Sequence, residues 1–341
     1  MGHRTFDLGL VGAGFLGRPL AEHVDSHEKL SVTMVADPDD EARRTTGPAL
    51  GVPTSERYES ATAMLREGPV DGMLLATPPD VRESPIAAAS DNGVNVYCEK
   101  PLAVTTETAT RIHESIRNGP SDLRVGFQRR LHPGYEQLRS HWETSTPHRV
   151  TGEIGLDWAS GLEETWKTDP DVPGSGFLFD TGIHLVDAAL WTSGIEPVRV
   201  MATFESHPEF DIDLFGHVRI QGQTGGVVSL DLDGAMPQST ERLQTNDEAS
   251  AFTVRREQWL SGGEMLGRFD GEMIRTTIRG MKRRRVAGDR SGETKADAIA
   301  QFLAGDPDPL ATPGEATITT AICECALESD ARDVPVNLAT E

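Results

Sequence analysis

The chain has 341 residues, 37% of them hydrophobic, and its 54 acids against 32 bases give a formal net charge of −22. A surface this acidic repels nucleic acid and anionic membranes, and no apolar run approaches the roughly eighteen residues of a membrane span, so nucleic acid and membrane are excluded as partners. The length predicts two domains rather than one core.

Only five bases are lysine (Lys29, Lys100, Lys167, Lys282 and Lys295), leaving 27 arginines. Acid excess with scarce lysine predicts a protein adapted to concentrated salt, where the Debye length shrinks to about 3 Å and self-repulsion is screened. Cys98, Cys323 and Cys325 have neither disulfide nor zinc spacing and read as buried thiols of a reducing, cytoplasmic compartment. The apolar run at the N-terminus is short, ends in glycines and does not read as a secretion signal.

In chain order, a strand is expected over Phe6–Val11, then the turn Gly12, Gly14, Gly17 with G-x-G-x-x-G spacing, then a helix whose apolar face carries Leu20, Ala21 and Val24. A second strand, Leu30–Ala36, ends at Asp37, twenty residues beyond Gly17. This is the fingerprint of a dinucleotide site. Gly12 permits the tight turn, Gly14 lets the backbone approach a pyrophosphate, and Gly17 lets the helix pack on the strand. The helix N-terminus offers its amides to the phosphates. Asp37 can accept from a ribose 2′-hydroxyl and would repel a 2′-phosphate, so NAD is expected over NADP. Arg43 and Arg44 follow on the next helix and could fold back.

The alternation continues with a strand over Gly72–Ala76 running into Thr77-Pro78-Pro79, and a helix from Pro85 to about Asn92. A strand over Val94–Tyr97 then leads into Cys98-Glu99-Lys100-Pro101. A helix capped by Thr105 or Thr106 runs to Arg117, and a last strand spans Asp122–Phe127. Alternating strands and helices predict an α/β Rossmann domain, a doubly wound parallel sheet over residues 1–128 with ligands beyond the strand C-termini. The Gly12–Gly17 turn, Asp37, Thr77–Pro79 and Glu99–Pro101 all fall at those ends. Lys100, a rare lysine at such an end, could place its ammonium beside a nicotinamide and a polar substrate.

From residue 129 to 341 the pattern changes to strands at Arg149–Trp158, Val198–Phe204, Phe215–Gln221, Gly226–Leu232 and Ala251–Arg255, which predicts an α+β substrate-binding and oligomerisation domain with a large, open, mainly antiparallel sheet, its C-terminal helix able to pack back on the first domain. Within "FLFDTGIHLVDAALW", Asp180, His184 and Asp187 stand at i, i+4 and i+7, one face of a helix. A carboxylate one turn before an imidazole can orient it and raise its basicity, which suits a general base. A helix cap with a satisfied core histidine is the alternative. A metal site ranks last, since no second histidine stands at ligand spacing, and no metal is expected. The run Lys282–Arg285 reads as a solvated strand or loop, Glu315–Leu327 as a helix, and Val334–Val336 as an extended tail.

Together "GLVGAGFLGRPLAEHV", "VADPD", "LLATPPD", "CEKPLAVT", "VGFQRRLHPGYEQLR", "WKTDPDVPGSGFLFDTGIHLVD" and "ALESDARDVPVNL" resemble the glucose–fructose oxidoreductase/inositol dehydrogenase (Gfo/Idh/MocA) family over nearly the whole chain. The E-K-P triplet with D-x-x-x-H is the specific part. The resemblance implies an NAD(P)-dependent oxidoreductase that moves hydride between the nicotinamide and a hydroxyl-bearing carbon of a sugar, cyclitol or related polyol. It implies catalytic roles for Lys100, Asp180 and His184, with Lys100 and His184 meeting beside the nicotinamide. It also implies cofactor contacts from Gly12, Gly14, Phe15, Leu16, Gly17, Asp37, Thr77, Pro78, Glu99 and Lys100. Substrate contacts are implied for Arg129, Trp166, Lys100, Asp180 and His184. Departures from the family pattern are Arg82 in place of a frequent histidine, Ser175 within the usual triple glycine, and Gln128 in place of asparagine. An open sheet with an uncovered face predicts a homodimer or homotetramer. The rival readings are an NAD-binding sensor without turnover and a dehydrogenase of a non-sugar substrate.

Overall fold

The computed structural model describes residues 5–160, 162, 165–248, 250–257, 270–277, 280–287 and 294–338. The first part of the chain alternates: β1 (Phe6–Val11), α1 (Gly17–Asp25), β2 (Leu30–Ala36), α2 (Asp40–Ala49), β3 (Arg57–Tyr58), α3 (Ala61–Glu67), β4 (Gly72–Leu75), α4 (Glu83–Asp91), β5 (Asn95–Cys98), α5 (Thr106–Asn118) and β6 (Leu123–Val125). The six strands pair in the order β3-β2-β1-β4-β5-β6, all parallel. Helices on both faces demand strands that are apolar on both faces, and Leu8, Leu10, Val35, Leu74, Leu75 and Val96 are all buried. Helix α1 turns Gly17, Leu20, Ala21 and Val24 inward at three- and four-residue spacing. Side-chain caps from Asp39, Ser60 and Thr105 start α2, α3 and α5. The strand order reverses between β1 and β4, the switch point at which ligands bind in such sheets. Strand β3 and helix α3 were not foreseen, because a two-residue strand has no readable period.

The chain continues with α6 (Pro133–Trp142), β7 (Arg149–Asp157), α7 (Ile183–Ser193), β8 (Pro197–Ser206), β9 (Asp213–Gly222), β10 (Val227–Asp233), β11 (Ala235–Asn246), β12 (Ser250–Glu257), β13 (Asp270–Thr277), β14 (Gly280–Ala287), α8 (Lys295–Leu303), α9 (Pro313–Arg332) and β15 (Val336–Asn337). Nine strands form one sheet in the order β14-β13-β12-β11-β7-β10-β9-β8-β15, and only the β10–β7 pairing is parallel. Helix α7 is apolar almost all round and is buried nearly throughout.

Strand β11 is absent from the sequence reading because its inward positions include Ser239, Glu241 and Thr245, all buried. A polar inward face hides the alternation that betrays a strand. The run Lys282–Arg285 lies on β14, paired with β13, and its side chains are outside the described residues. No described helix is long and apolar enough to cross a membrane.

The chain divides into two compact units, Met1–Phe127 with Glu293–Thr317, and Gln128–Gly292 with Ile318–Glu341. A later segment, Glu293–Thr317, thus belongs with the first unit. Three contacts tie it there. Lys295 Nζ lies 2.5 Å from Glu99 Oε1 with both side chains buried. Leu303 covers Gly72, where a Cβ would come within 2.8 Å of its Cδ2. The Ala311 carbonyl accepts from Val125 N at 2.9 Å, on β6.

Candidate active site

In the first unit the four sequence motifs converge at the C-terminal ends of β1, β2, β4 and β5. Gly12 has φ +91°, and a Cβ there would lie 2.8 Å from the Ala76 carbonyl carbon. A Cβ on Gly17 would lie 1.8 Å from the Gly12 oxygen. These two glycines are required by the protein's own packing. Gly14 differs, since a Cβ there meets nothing within 4 Å. The space beside it is open, and α1 begins without a side-chain cap, which is the cradle an anionic pyrophosphate needs. Phe15 stands 86% exposed at the turn, and Leu16 is half-buried.

Asp37 Oδ2 accepts from Ala13 N at 2.7 Å, and its Oδ1 from Asp39 N at 2.8 Å. Thr46 Oγ1 donates to the Ala13 carbonyl at 2.9 Å, so Ala13 is held from both sides. Asp37 thereby braces the glycine turn while each of its oxygens keeps a lone pair for a ribose hydroxyl. Arg43 does fold back: its Nη1 donates to the carbonyls of Asp37 at 2.5 Å and Pro38 at 3.1 Å, and its Nη2 to Asp40 at 3.0 Å. Its donors serve the β2–α2 turn. Arg44 pairs outward with Asp40 and Glu41. The hydroxyl of Thr77 is buried without a protein partner, beside an exposed Pro78. An open glycine cradle, an acid at the end of β2 and an orphaned hydroxyl at the end of β4 together fit a nicotinamide dinucleotide.

Lys100 is half-buried immediately after β5. The side chain of Glu99, by contrast, is engaged within the protein. It is 1% exposed and held by Lys295, and it accepts from Tyr97 Oη at 3.3 Å. Its carboxylate thus forms a buried ion pair within the first unit. Burial and the adjacent Glu99 push the Tyr97 hydroxyl well above its ordinary range. Burial also raises the Cys98 thiol to about 11, which makes it an inert core thiol.

In the second unit, Asp180 lies in a π-turn, Leu178–Gly182, that leads into α7. The continuous α-helical face expected for Asp180, His184 and Asp187 is therefore broken, with five-residue spacing through the first of the three. Asp180 Oδ2 accepts from Trp158 Nε1 at 2.8 Å and from Lys167 Nζ at 3.0 Å, and Oδ1 lies 2.9 Å from the same ammonium. His184 is 5% exposed at the start of α7. Asp187 points elsewhere: Arg130 grips it from Nε at 3.0 Å and Nη2 at 2.7 Å. Asp213 caps the π-turn, its Oδ2 accepting from Leu178 N at 2.6 Å.

Arg129 is 1% exposed and bonded to Glu241 through Nε at 3.1 Å and Nη2 at 2.7 Å. Arg256 reaches the same carboxylate at 3.1 Å, and Tyr135 donates to it as well. Burial pushes Glu241 up, but Arg129 and then Arg256 outweigh it and hold it down at about 2. His132 beside them is driven down to about 3, first by burial and then by Arg256. Arg129 thus belongs to a buried ionic cluster. Trp166 sits half-buried on a short 3-10 turn, Trp166–Thr168, next to Lys167. Sequence reasoning overlooked Trp158, Lys167, Asp213 and Lys295. The scarcity of lysine was the signal available for two of them. Among the described residues, no cluster of three or more His, Cys, Asp or Glu could hold a metal.

Residues 6–127 match a family described as an oxidoreductase family with an NAD-binding Rossmann fold, and residues 143–248 match the GFO/IDH/MocA C-terminal domain. The rhizopine catabolism protein MocA of Rhizobium meliloti is 31% identical over 195 residues, 57% of this chain. The chain spans only 59% of the length of that relative. D-xylose 1-dehydrogenase (NADP(+)) 2 of Haloferax volcanii is 26% identical over 279 residues, 80% of this chain and 82% of that protein. The structure of levoglucosan dehydrogenase with NADH superposes with a TM-score of 0.82 at 16% identity, covering 99% of this chain and 100% of that one.

Proposed function

Because the chain belongs to the Gfo/Idh/MocA family of NAD-binding oxidoreductases, we propose that it transfers hydride between a nicotinamide dinucleotide and a hydroxyl-bearing carbon of a sugar, cyclitol or related polyol. The observation that carries the reading is the open cradle at Gly14, beside an Asp37 already locked to the glycine turn by the Ala13 amide. When bound there, the nicotinamide supplies the hydride acceptor or donor.

The rest is the work of the chain's own residues. The turn Gly12–Gly17, with Phe15 and Leu16, holds the pyrophosphate; Asp37 holds the adenosine ribose; Thr77 and Pro78 line the path toward the nicotinamide. Lys100 binds the substrate hydroxyl oxygen and offsets the negative charge that grows on it. His184 takes the proton from that hydroxyl in oxidation and returns it in reduction. Asp180, gripped by Lys167 and Trp158, fixes the entry to the helix that bears His184. Trp166 supplies an apolar wall for the sugar.

NAD is the expected cofactor, because Asp37 repels a 2′-phosphate and the donors of Arg43 are already engaged. The xylose dehydrogenase above carries NADP(+) in its name, so the two cofactors are to be compared directly. A homodimer or homotetramer in the cytoplasm completes the reading. The test is a screen of pentoses, hexoses, uronic acids and inositols in molar KCl, following NADH and NADPH absorbance in parallel. Reduction of NAD by at least one polyol, abolished in Lys100→Met and in His184→Ala, supports the proposal. NAD binding without turnover of any substrate overturns it.

A further inference from the structure

The surroundings of Arg82 give it a defined task. The residue ends the short 3-10 turn Pro79–Val81 and caps α4, yet its side chain is 2% exposed. The guanidinium donates to three backbone carbonyls, with the Cys98 thiol beside it. Nε and Nη2 donate to the Thr77 carbonyl at 3.0 and 2.6 Å, and Nη1 donates to the carbonyls of both Glu99 and Pro101. Thr77 follows β4; Glu99 and Pro101 flank Lys100 after β5. One planar fork therefore joins the two loops and pins the backbone on either side of Lys100. No other side chain matches this pattern of donors: lysine offers three from one point and histidine at most two. On its far side the Lys100 loop is anchored again, through Glu99 and Lys295.

We propose that Arg82 is a positioning residue that fixes the distance between the Thr77 loop and Lys100, so that the hydroxyl at 77 and the ammonium at 100 are presented in one rigid frame. The inference rests on the dehydrogenase reading for its kinetic consequence but not for its structural one. Misplacing a reacting group by about 1 Å costs about 100-fold in rate.

The experiment compares full-length wild type with Arg82→Lys, Arg82→His and Arg82→Met in molar KCl. It records kcat, KM, the Kd for NAD by fluorescence, and amide hydrogen exchange of residues 76–82 and 98–103 without cofactor. Arg82→Met is expected to lower kcat about 100-fold with KM for the polyol little changed, and to speed exchange in both segments together. Arg82→Lys should recover about tenfold of the lost kcat. The proposal is overturned if exchange rises in only one segment or in neither, or if kcat in the folded variants stays within about threefold of wild type. Should Arg82→Met not fold, the lysine and histidine variants are judged by the same criteria. If the wild type binds NAD but turns over no polyol, the dehydrogenase reading fails, and the exchange data alone decide whether the fork couples the two loops.

Discussion

Asp213 is the clearest place to test how the π-turn is held. Its carboxylate lies half-buried at the start of β9, accepts from Leu178 N at 2.6 Å, and occupies the space a Cβ on Gly176 would need, 2.0 Å from Oδ1. Burial raises its pKa, the amides of Leu178 and Phe177 pull it down, Asp330 pushes it up again, and the result is about 6 against an ordinary 3.8. The groups facing it are Asp330 and the thiol of Cys323, both on α9. Because the folded state holds this proton more tightly than the unfolded chain, its stabilisation is complete below about pH 4 and is lost as pH rises through 6. The gap between 3.8 and about 6 corresponds to about 3 kcal/mol, at about 1.36 kcal/mol per pH unit.

Asp213→Asn keeps an acceptor for Leu178 and removes the titration. The difference in unfolding free energy, wild type minus variant, should therefore fall by about 3 kcal/mol between pH 4 and pH 7. Urea unfolding followed by tryptophan fluorescence, at half-unit pH steps and constant KCl, measures it. A difference flat to within about 0.5 kcal/mol would refute the burial argument. Asp330→Asn should narrow the same difference without abolishing it.

Replacing Glu241 by glutamine leaves two buried guanidinium groups without a counter-charge. Unfolding free energy should drop by about 3–5 kcal/mol, read by the same denaturation, with NAD affinity unaffected. Gly14→Ala and Gly17→Ala should separate function from packing. The first is expected to weaken NAD binding at least about tenfold at near-constant Tm, while the second lowers Tm outright, because only Gly17 lacks room for a Cβ. Lys167→Met removes the ammonium from Asp180 and should lower kcat about tenfold or more, with NAD affinity preserved, as stopped-flow and titration would report. Tm should climb with KCl concentration, since the formal charge of −22 is screened; a flat response from 0.1 to about 3 M would dismiss salt adaptation.

The Rossmann half was legible because its signals are local. Strand, glycines, helix and acid follow one another within about thirty residues, and each has a period or a spacing to read. The second half was legible only in part. Strand β11 hid behind Glu241, a carboxylate that becomes an inward residue only when Arg129 and Arg256 arrive from elsewhere in the chain. Asp180 and His184 stand four apart in the sequence, but the π-turn that holds Asp180 is capped by Asp213, 35 residues from Leu178. Arg129 and Glu99 each flank a recognisable motif. Their actual partners, Glu241 and Lys295, are distant in sequence, and no spacing rule reaches that far.

The return of residues 293–317 to the first sheet has a practical consequence. The nucleotide-binding half cannot be excised by stopping translation near residue 127. Such a fragment would bury the carboxylate of Glu99 with its ammonium removed, strip the cover from Gly72 and leave the β6 edge at Val125 without Ala311. Losing the ionic partner alone is worth about 3–5 kcal/mol, a large share of a domain's whole stability. An autonomous version must splice the C-terminal piece back through a linker, so shuffling this half into a chimeric dehydrogenase requires two crossovers instead of one.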